Sequence, residues 1–215
     1  MPNKSIFYLY TQFLNTDKPV EDSLIIGALA KTAQFFSIFW NNSCFYSKIS
    51  HVWKDNMDFD FASMDHEYFM REALKEAEIA AQAGEIPVGA VIVHTNRIVG
   101  RNHAKHEMLK SDIAHAEMNV LIQAEQYLAV QARDNCVIYT TVEPCVMCLG
   151  AIVMSNIAHI VYGMPDNWIK PRGMLNMEYV RRHIKNYLGG ILAEQSAELW
   201  RKTRPIELEA MQTGI

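Results

Sequence analysis

The sequence has little cysteine, no strong excess of charge and no uninterrupted apolar run long enough to span a membrane. Four cysteines stand among 215 residues, and the formal net charge is -4. This balance does not indicate a chain that binds nucleic acid over its whole surface, although a local basic patch is compatible with it. The apolar stretch over residues 24–40 is interrupted by Lys31 and Gln34 and is shorter than the roughly 20 residues that span a bilayer. The sequence therefore predicts no membrane partner.

Signals for export are also lacking. The first 14 residues contain no clean apolar core before a small-residue cleavage site. We therefore expect a cytoplasmic protein, and a reducing cytoplasm favours metal binding over disulfides for paired cysteines. The sequence has no internal repeat and no low-complexity tract. A length of 215 residues accommodates one domain with a sizeable core and an appendage.

Residues 1–63 differ from the rest of the chain, because they are rich in aromatic residues and carry no catalytic motif. Two hypotheses stay open for them. They form a small accessory segment that packs on the main domain, or the start codon is misassigned and translation begins at Met64. We predict an N-terminal extension of unknown role over residues 1–63 and the main domain over residues 64–215.

From residue 65 onwards, predicted helices alternate with predicted strands. Phe69, Ala73, Ala77 and Ala80 recur at helical spacing, and Gly84 stands where a helix would end. Residues 102–111 are interpreted as a polar loop. The alternation is typical of an α/β fold with a mixed sheet. Strands are predicted over residues 87–93, 97–100, 136–141 and 159–162, with further helices over about 115–126, from near Pro144, and last over 193–202.

Two short motifs, at residues 114–117 (AHAE) and 142–148 (VEPCVMC), carry the side chains that indicate chemistry. His115, Cys145 and Cys148 supply one imidazole and two thiolates, and Glu117 supplies a spare carboxylate. This set matches a catalytic zinc site with three protein ligands and an open position. The two cysteines lie one turn apart at a predicted helix start, so both sulfurs can face one ion, and the helix dipole lowers their thiol pKa.

The pairing of H-x-E with P-C-x-x-C is the signature of zinc-dependent base deaminases. Bound zinc would lower the pKa of a water molecule to about 7. Glu117 would take a proton from that water, pass it to the ring nitrogen and later protonate the departing amine. Two alternatives stay open. A non-catalytic zinc-binding module has no need of Glu117, and a redox pair of Cys145 and Cys148 requires a metal-free site.

From about residue 65 to residue 204 the chain resembles bacterial-type tRNA adenosine deaminases, within the cytidine deaminase-like superfamily. The resemblance implies an α/β three-layer sandwich with a mixed sheet of about five strands between helices, a homodimer and a zinc ion. It implies conversion of adenosine to inosine at the wobble position of tRNA. Ile86, Val142 and the backbone of Ala116 would contact the base. The resemblance rests on residues 66–71 (HEYFMR), 85–91 (EIPVGAV), 114–117, 142–148 and 190–193 (GILA).

Three positions depart from the family pattern. The asparagine that the family carries before the H-A-E motif falls at Ala104, while Asn102 lies two residues earlier and is our candidate for that substrate contact. Asp166 fits the family and is expected to bind substrate, whereas residues 167–172 do not fit. Thr203 and Arg204 stand where the family places aromatics. A second substrate class therefore stays open, a free base or small nucleoside such as guanine.

The C-terminal part of the chain is basic. Residues 170–204 hold eight basic and three acidic residues, a net charge of +5. They form either a surface that contacts RNA phosphates or a solvated helix face, and only RNA binding would weaken steeply with salt. Cys44 and Cys136 are interpreted as buried hydrophobic residues, and Trp168 and Trp200 as packing residues.

Overall fold

The structure, a computed structural model, describes residues 59–131 and 133–215. These residues belong to one structural unit, Lys54–Ile215. Most of the predicted extension, together with Cys44, lies outside the described residues, so the boundary after residue 63 stays a prediction. The last part of that segment is described, and there Phe59 and Phe61 pack against the core.

One sheet of five strands organises the described residues. The strands lie in the order β2-β1-β3-β4-β5. Strand β1 runs antiparallel to both of its neighbours, and β3, β4 and β5 run parallel to one another. The mixed sheet of about five strands is therefore confirmed. The strands are β1 (Gly89–His94), β2 (Arg97–His103), β3 (Cys136–Val142), β4 (His159–Met164) and β5 (Asn186–Leu188).

Seven α-helices lie in the described part of the chain. The first begins at His66 and is capped by Asp65, whose carboxylate accepts the backbone N–H of Tyr68 at 2.9 Å. It ends before Gly84, which has the positive φ of +76° that was expected of a terminating glycine. The helices are α1 (His66–Gln82), α2 (His106–Leu109), α3 (Ala116–Leu128), α4 (Val146–Met154), α5 (Glu178–His183), α6 (Ala193–Thr203) and α7 (Pro205–Thr213).

Helices cover both faces of the sheet, which makes the three-layer sandwich. Alternate side chains of a strand point to opposite faces, so Ile138 packs towards α3 and α4 while Tyr139 packs towards α1. The approach of α1 to β1 is very close. A Cβ on Gly89 would come within 2.2 Å of the carbonyl oxygen of Ala73, so the close contact requires glycine there.

The parallel pair β3 and β4 determines where a site can form. Both strands end at one edge of the sheet, at Val142 and Met164, and α4 starts just beyond β3. Crevices beyond the carboxyl ends of parallel strands are the usual binding places in α/β folds. Here the two strand ends pack with Trp200 of α6 and with Leu208 and Met211 of α7, which gives the crevice an apolar wall.

The structure corrects three sequence predictions. The predicted polar loop over 102–111 contains the end of β2 and the short helix α2. The helix predicted as the last one is followed by α7, which begins with Pro205 in its first turn. Strand β5 was not predicted. Among the described residues, no helix is both long enough and apolar enough to cross a membrane.

Candidate active site

The two sequence motifs meet at the starts of two helices. His115 is the N-cap of α3, Cys145 is the N-cap of α4, and Cys148 lies in the first turn of α4. The positive ends of both helix dipoles therefore point at the same place, which favours thiolates there. Nδ1 of His115 lies 3.7 Å from Sγ of Cys145. The candidate ligand atoms of all three residues lie within 4.8 Å of one another.

This group fits a zinc ion. Zinc forms bonds of about 2.3 Å to sulfur and about 2.0 Å to nitrogen, and a tetrahedral angle between two such bonds separates the sulfur from the nitrogen by about 3.5 Å. The distance of 3.7 Å between Sγ of Cys145 and Nδ1 of His115 is close to this value. Three protein ligands leave one position open, as in catalytic rather than structural zinc sites. The donor set of one imidazole and two thiols is also one that suits zinc.

The protonation of the two thiols differs. Hydrogen bonds from Cys148 and from His115 together lower the pKa of Cys145 to about 4, against the opposing effect of burial. The hydrogen bond to Cys145, together with burial, raises the pKa of Cys148. The hydrogen bond between the two sulfurs therefore favours a proton on Cys148 over one on Cys145. Because zinc ligands bind as thiolates, the ion would displace the proton of Cys148.

Glu117 lies beside this group as a buried carboxylate. Its Oε1 accepts a hydrogen bond from Oγ1 of Thr140 at 3.0 Å, and its Oε2 accepts one from Sγ of Cys148 at 3.5 Å. Burial raises the pKa of Glu117, and the Thr140 hydroxyl acts in the opposite direction. Thr140 was not identified from the sequence, although strand alternation in β3 puts it on the face that α3 covers.

A cavity of about 260 Å³ opens next to Glu117. This volume lies just below the range of drug-sized ligand pockets, about 300–1,000 Å³, and suits a single base rather than a large ligand. The cavity brings together His115, Glu117 and Cys145 with four of the five predicted substrate-binding residues: Ile86, Ala116, Val142 and Asp166.

Asn102 is the predicted substrate-binding residue that the structure does not bring to the cavity. Its Nδ2 donates to the carbonyl oxygen of Asn119 at 3.4 Å, and its Oδ1 accepts the backbone N–H of His103 at 3.0 Å. Ala104 lines the cavity instead. The side chain of Asn102 is therefore engaged in fixing the end of β2.

Several lining residues were missed by sequence reasoning. Some lie on or next to α2 and α7, which were not predicted, and others lie in the loop after β4 or on α6, where the two tryptophans were interpreted as packing residues. Two buried polar atoms among them, Nδ1 of His106 and Nε1 of Trp200, have no hydrogen-bond partner in residues 59–131 and 133–215. Both could bind a ligand or a water molecule. The missed residues are His106, Trp168, Ile169, Trp200, Arg204, Glu207 and Met211.

The segment 166–172 is held in place at the mouth of the cavity. Oδ1 of Asp166 accepts the backbone N–H groups of Trp168 and Ile169, both at 2.9 Å. The backbone N–H of Asp166 donates to Oε2 of the fully buried Glu143 at 3.1 Å. Nε of Arg172 lies 3.1 Å from Oε1 of the same carboxylate. Asp166 therefore fixes the backbone of this segment through its Oδ1.

Much of the positive charge of residues 170–204 is balanced by ion pairs. Arg201 pairs with Glu194 and Glu198, and Arg204 pairs with Glu207 at 3.2 Å. Lys170, Arg181 and Arg182 form no ion pair with a described residue. An RNA-contacting surface would therefore be smaller than the net charge of the segment indicates. The remaining pairs are Arg172 with Glu143, Lys185 with Asp134 and Lys202 with Glu198.

Comparison with known proteins decides the family. Residues 64–195 match the family model of MafB19-like deaminases. The chain belongs to this family. The deaminase is 37% identical over 136 residues to the tRNA-specific adenosine deaminase of Bacillus subtilis (strain 168), an alignment covering 60% of this chain and 82% of that one. It is 45% identical over 96 residues to that of Streptococcus pyogenes serotype M18, covering 45% of this chain and 60% of that one.

Solved structures agree with this assignment. A structure from a study of A-to-I editing by tRNA:A34 deaminases matches with a TM-score of 0.55 and 31% identity, covering 61% of this deaminase and 98% of that chain. A structure of an NE0047 mutant in complex with 8-azaguanine shares the fold, with a TM-score of 0.56 and 21% identity over 64% of this chain and 83% of that one. The resemblance to tRNA adenosine deaminases and the fold that it implies are confirmed, and the chain is an enzyme that catalyses hydrolytic deamination.

Proposed function

We propose that this deaminase converts adenosine to inosine at the wobble position of tRNA. The observation that carries the proposal is the buried carboxylate of Glu117, 3.5 Å from Cys148 and next to a His-Cys-Cys group in a cavity of base size. The choice of adenosine in tRNA as the substrate rests on the relatives named tRNA-specific adenosine deaminase. Water adds to the carbon that bears the amino group, ammonia leaves, and a carbonyl group remains.

His115, Cys145 and Cys148 would hold the zinc ion. Bound there, zinc would lower the pKa of a water molecule to about 7. Glu117 accepts a proton from the attacking water and gives it to the adjacent ring nitrogen; it then takes the proton of the added hydroxyl group, as the carbonyl forms, and delivers it to the departing amine. The raised pKa of Glu117 suits a group that both takes and returns a proton near neutral pH.

The walls of the cavity would orient the base. Ile86 and Val142 offer apolar contacts to its faces, and the backbone of Ala116 at the start of α3 offers a polar contact. Because the cavity is mostly apolar, it also excludes bulk water from the reacting carbon. Asp166 would act on the substrate through the segment 166–172, whose backbone it fixes.

Inosine formation in total tRNA tests the proposal. Purified, zinc-loaded protein should produce inosine at the anticodon wobble position, and Glu117→Ala should not. Binding of RNA should weaken steeply as salt is raised, because phosphate contacts release counterions. Ammonia release from guanine or another free base, with no inosine in tRNA, would instead assign the enzyme to the second substrate class.

We expect the enzyme in the cytoplasm, where its substrate would be.

We also propose a homodimer that forms through the groove between α3 and α4. Ile122 and Met154 border this groove with 67% and 69% of their surface exposed, and apolar side chains that line one groove form the kind of surface that a partner protein covers. Sedimentation equilibrium of wild-type protein should give twice the chain mass. Ile122→Asp should give the mass of one chain, and a dimer in that variant would contradict the assignment of this face.

A further inference from the structure

Trp168 stands out among the residues of the cavity because most of its side chain is open to solvent. It is 59% exposed, although it lines the same cavity as Glu117. Its ring contacts no other aromatic ring among residues 59–131 and 133–215. The sequence-based interpretation of Trp168 as a packing residue was therefore wrong, whereas Trp200 does pack in the wall of the crevice.

The backbone that presents Trp168 is fixed by several hydrogen bonds. The N–H of Trp168 donates to Asp166, which in turn donates to the buried Glu143. Asn167 is tied to the end of α7, since its backbone N–H donates to the carbonyl oxygen of Met211 at 2.9 Å. An exposed ring on an anchored backbone is a preorganised binding element, because little entropy is lost when a ligand stacks on it.

Basic side chains lie close to Trp168 in the chain. Lys170 is exposed and forms no ion pair with a described residue, and Arg172 is exposed while its guanidinium contacts Glu143 and Asn167. Aromatic rings interleaved with basic side chains are the pattern by which proteins bind single-stranded nucleic acid, through base stacking and phosphate contacts. Binding of a free base inside the cavity would require neither the exposed aromatic ring nor the basic side chains.

We propose that Trp168 is a stacking platform for the nucleobase next to the reacting one in an RNA strand, with Lys170 bound to the adjoining phosphate. The inference rests on the proposed function and adds a second base subsite to it. An unpaired base that is splayed out of the RNA strand exposes both of its faces. Stacking on an aromatic ring then replaces its stacking on the adjacent base. The subsite makes the enzyme select RNA over free nucleosides.

Binding of an anticodon stem-loop RNA with adenosine at the wobble position tests the platform. Two further RNAs replace the nucleotide on either side of that adenosine by an abasic residue. In the Glu117→Ala background, Trp168→Ala should raise the Kd for the intact RNA by about 5- to 100-fold, and Trp168→Phe should retain most of the affinity. One abasic RNA should bind equally to proteins with Trp168 and with Trp168→Ala. Lys170→Ala should lower the salt slope by about 1.

Matched controls separate the possible outcomes. Tyr68→Ala removes a half-exposed aromatic ring that does not line the cavity and should leave the Kd unchanged. Unchanged RNA affinity in Trp168→Ala, or equal weakening for all three RNAs, would overturn the platform. A changed oligomeric state with unchanged affinity would assign Trp168 to a protein contact. If wild-type protein forms no inosine in RNA, the proposed function fails; if it does and Trp168→Ala matches it in KM, only the platform fails.

Discussion

Oε2 of Glu117 lies 3.5 Å from Sγ of Cys148, although the two residues come from different helices that start at the same edge of the sheet. The contact joins a proton carrier to a metal-ligand candidate. The hydroxyl of Thr140 donates to Oε1 of Glu117, so the carboxylate is oriented by a hydrogen bond that does not depend on the proton of Cys148. A general acid–base group must be positioned in this way before its pKa matters.

The Thr140 hydroxyl should be needed for full activity. Thr140→Val removes the donor to Oε1 of Glu117 and should lower kcat by about 10- to 100-fold. The hydroxyl opposes the rise in the pKa of Glu117, so its loss raises that pKa further and moves the acidic limb of the kcat profile to higher pH. Thr140→Ser, which keeps the hydroxyl, should resemble wild type. An unchanged pH dependence of kcat in Thr140→Val would contradict this role of Thr140.

Removal of the metal should lower both activity and stability. We expect about one zinc per chain in wild type and none in Cys148→Ala. A chelator should lower the melting temperature of wild type, because an ion present at about 1,000 times its Kd stabilises the fold by about 4 kcal/mol, and should leave Cys148→Ala unaffected. Cys136→Ala, at a buried cysteine away from the site, should keep its zinc. Zinc retained at full occupancy by Cys148→Ala would contradict the ligand assignment.

Glu85 should stabilise the start of α2 in a pH-dependent way. Its carboxylate accepts the backbone N–H groups of Glu107 at 2.9 Å and Met108 at 2.7 Å. Burial alone would raise the pKa of Glu85, but these hydrogen bonds outweigh it and hold the pKa below the usual value of 4.5. A lowered folded pKa stabilises the protein above about pH 4.5. That contribution is lost as the pH falls through the folded value.

Urea unfolding of wild type and Glu85→Gln between pH 7 and pH 3 measures this contribution. Wild type should be more stable by about 1–3 kcal/mol at pH 7, and the difference should shrink below about pH 4.5. Glu107→Gln removes an exposed carboxylate from the same helix and should show no such change. A difference between wild type and Glu85→Gln that is constant with pH would rule out the carboxylate as the source.

The ion pair between Arg172 and Glu143 should stabilise the cavity mouth. Glu143 is fully buried and also accepts a hydrogen bond from the hydroxyl of Tyr187 at 3.0 Å. Arg172→Met would leave this carboxylate with fewer partners. The expected cost is about 1–3 kcal/mol, less than for a fully buried pair, because the guanidinium is partly open to water. A double-mutant cycle with Glu143→Gln should show coupling above about 0.5 kcal/mol, and additive effects would show that the pair contributes nothing.

Local patterns in the sequence predicted much of the fold and the core of the site. Helix α1 could be predicted from its apolar spacing and Gly84, and the buried strands β1 and β3 from their apolar runs. The ligand group could be predicted because His115, Cys145 and Cys148 belong to motifs with a fixed chemical requirement. The structure brings their ligand atoms within 4.8 Å of one another.

The rest depends on contacts between distant parts of the chain. Strand β5 has three half-buried residues, too few to show a period of two. Helix α7 is short and mixed in polarity, and its one local signal is Pro205 in the first turn. The exposure of Trp168 at the cavity mouth could not be predicted, because the hydrogen bonds of Asp166, Glu143 and Met211 that place it link separate elements.

We propose that Glu117 moves protons beside a metal that His115, Cys145 and Cys148 hold. The most direct test of this proposal measures the zinc content and the single-turnover rate of inosine formation in one preparation of Glu117→Gln. We expect Glu117→Gln to bind zinc at the wild-type level and to react at a rate lower by at least about 100-fold, because its general acid–base group has been removed. A zinc-replete Glu117→Gln protein with the wild-type rate would contradict the proposal.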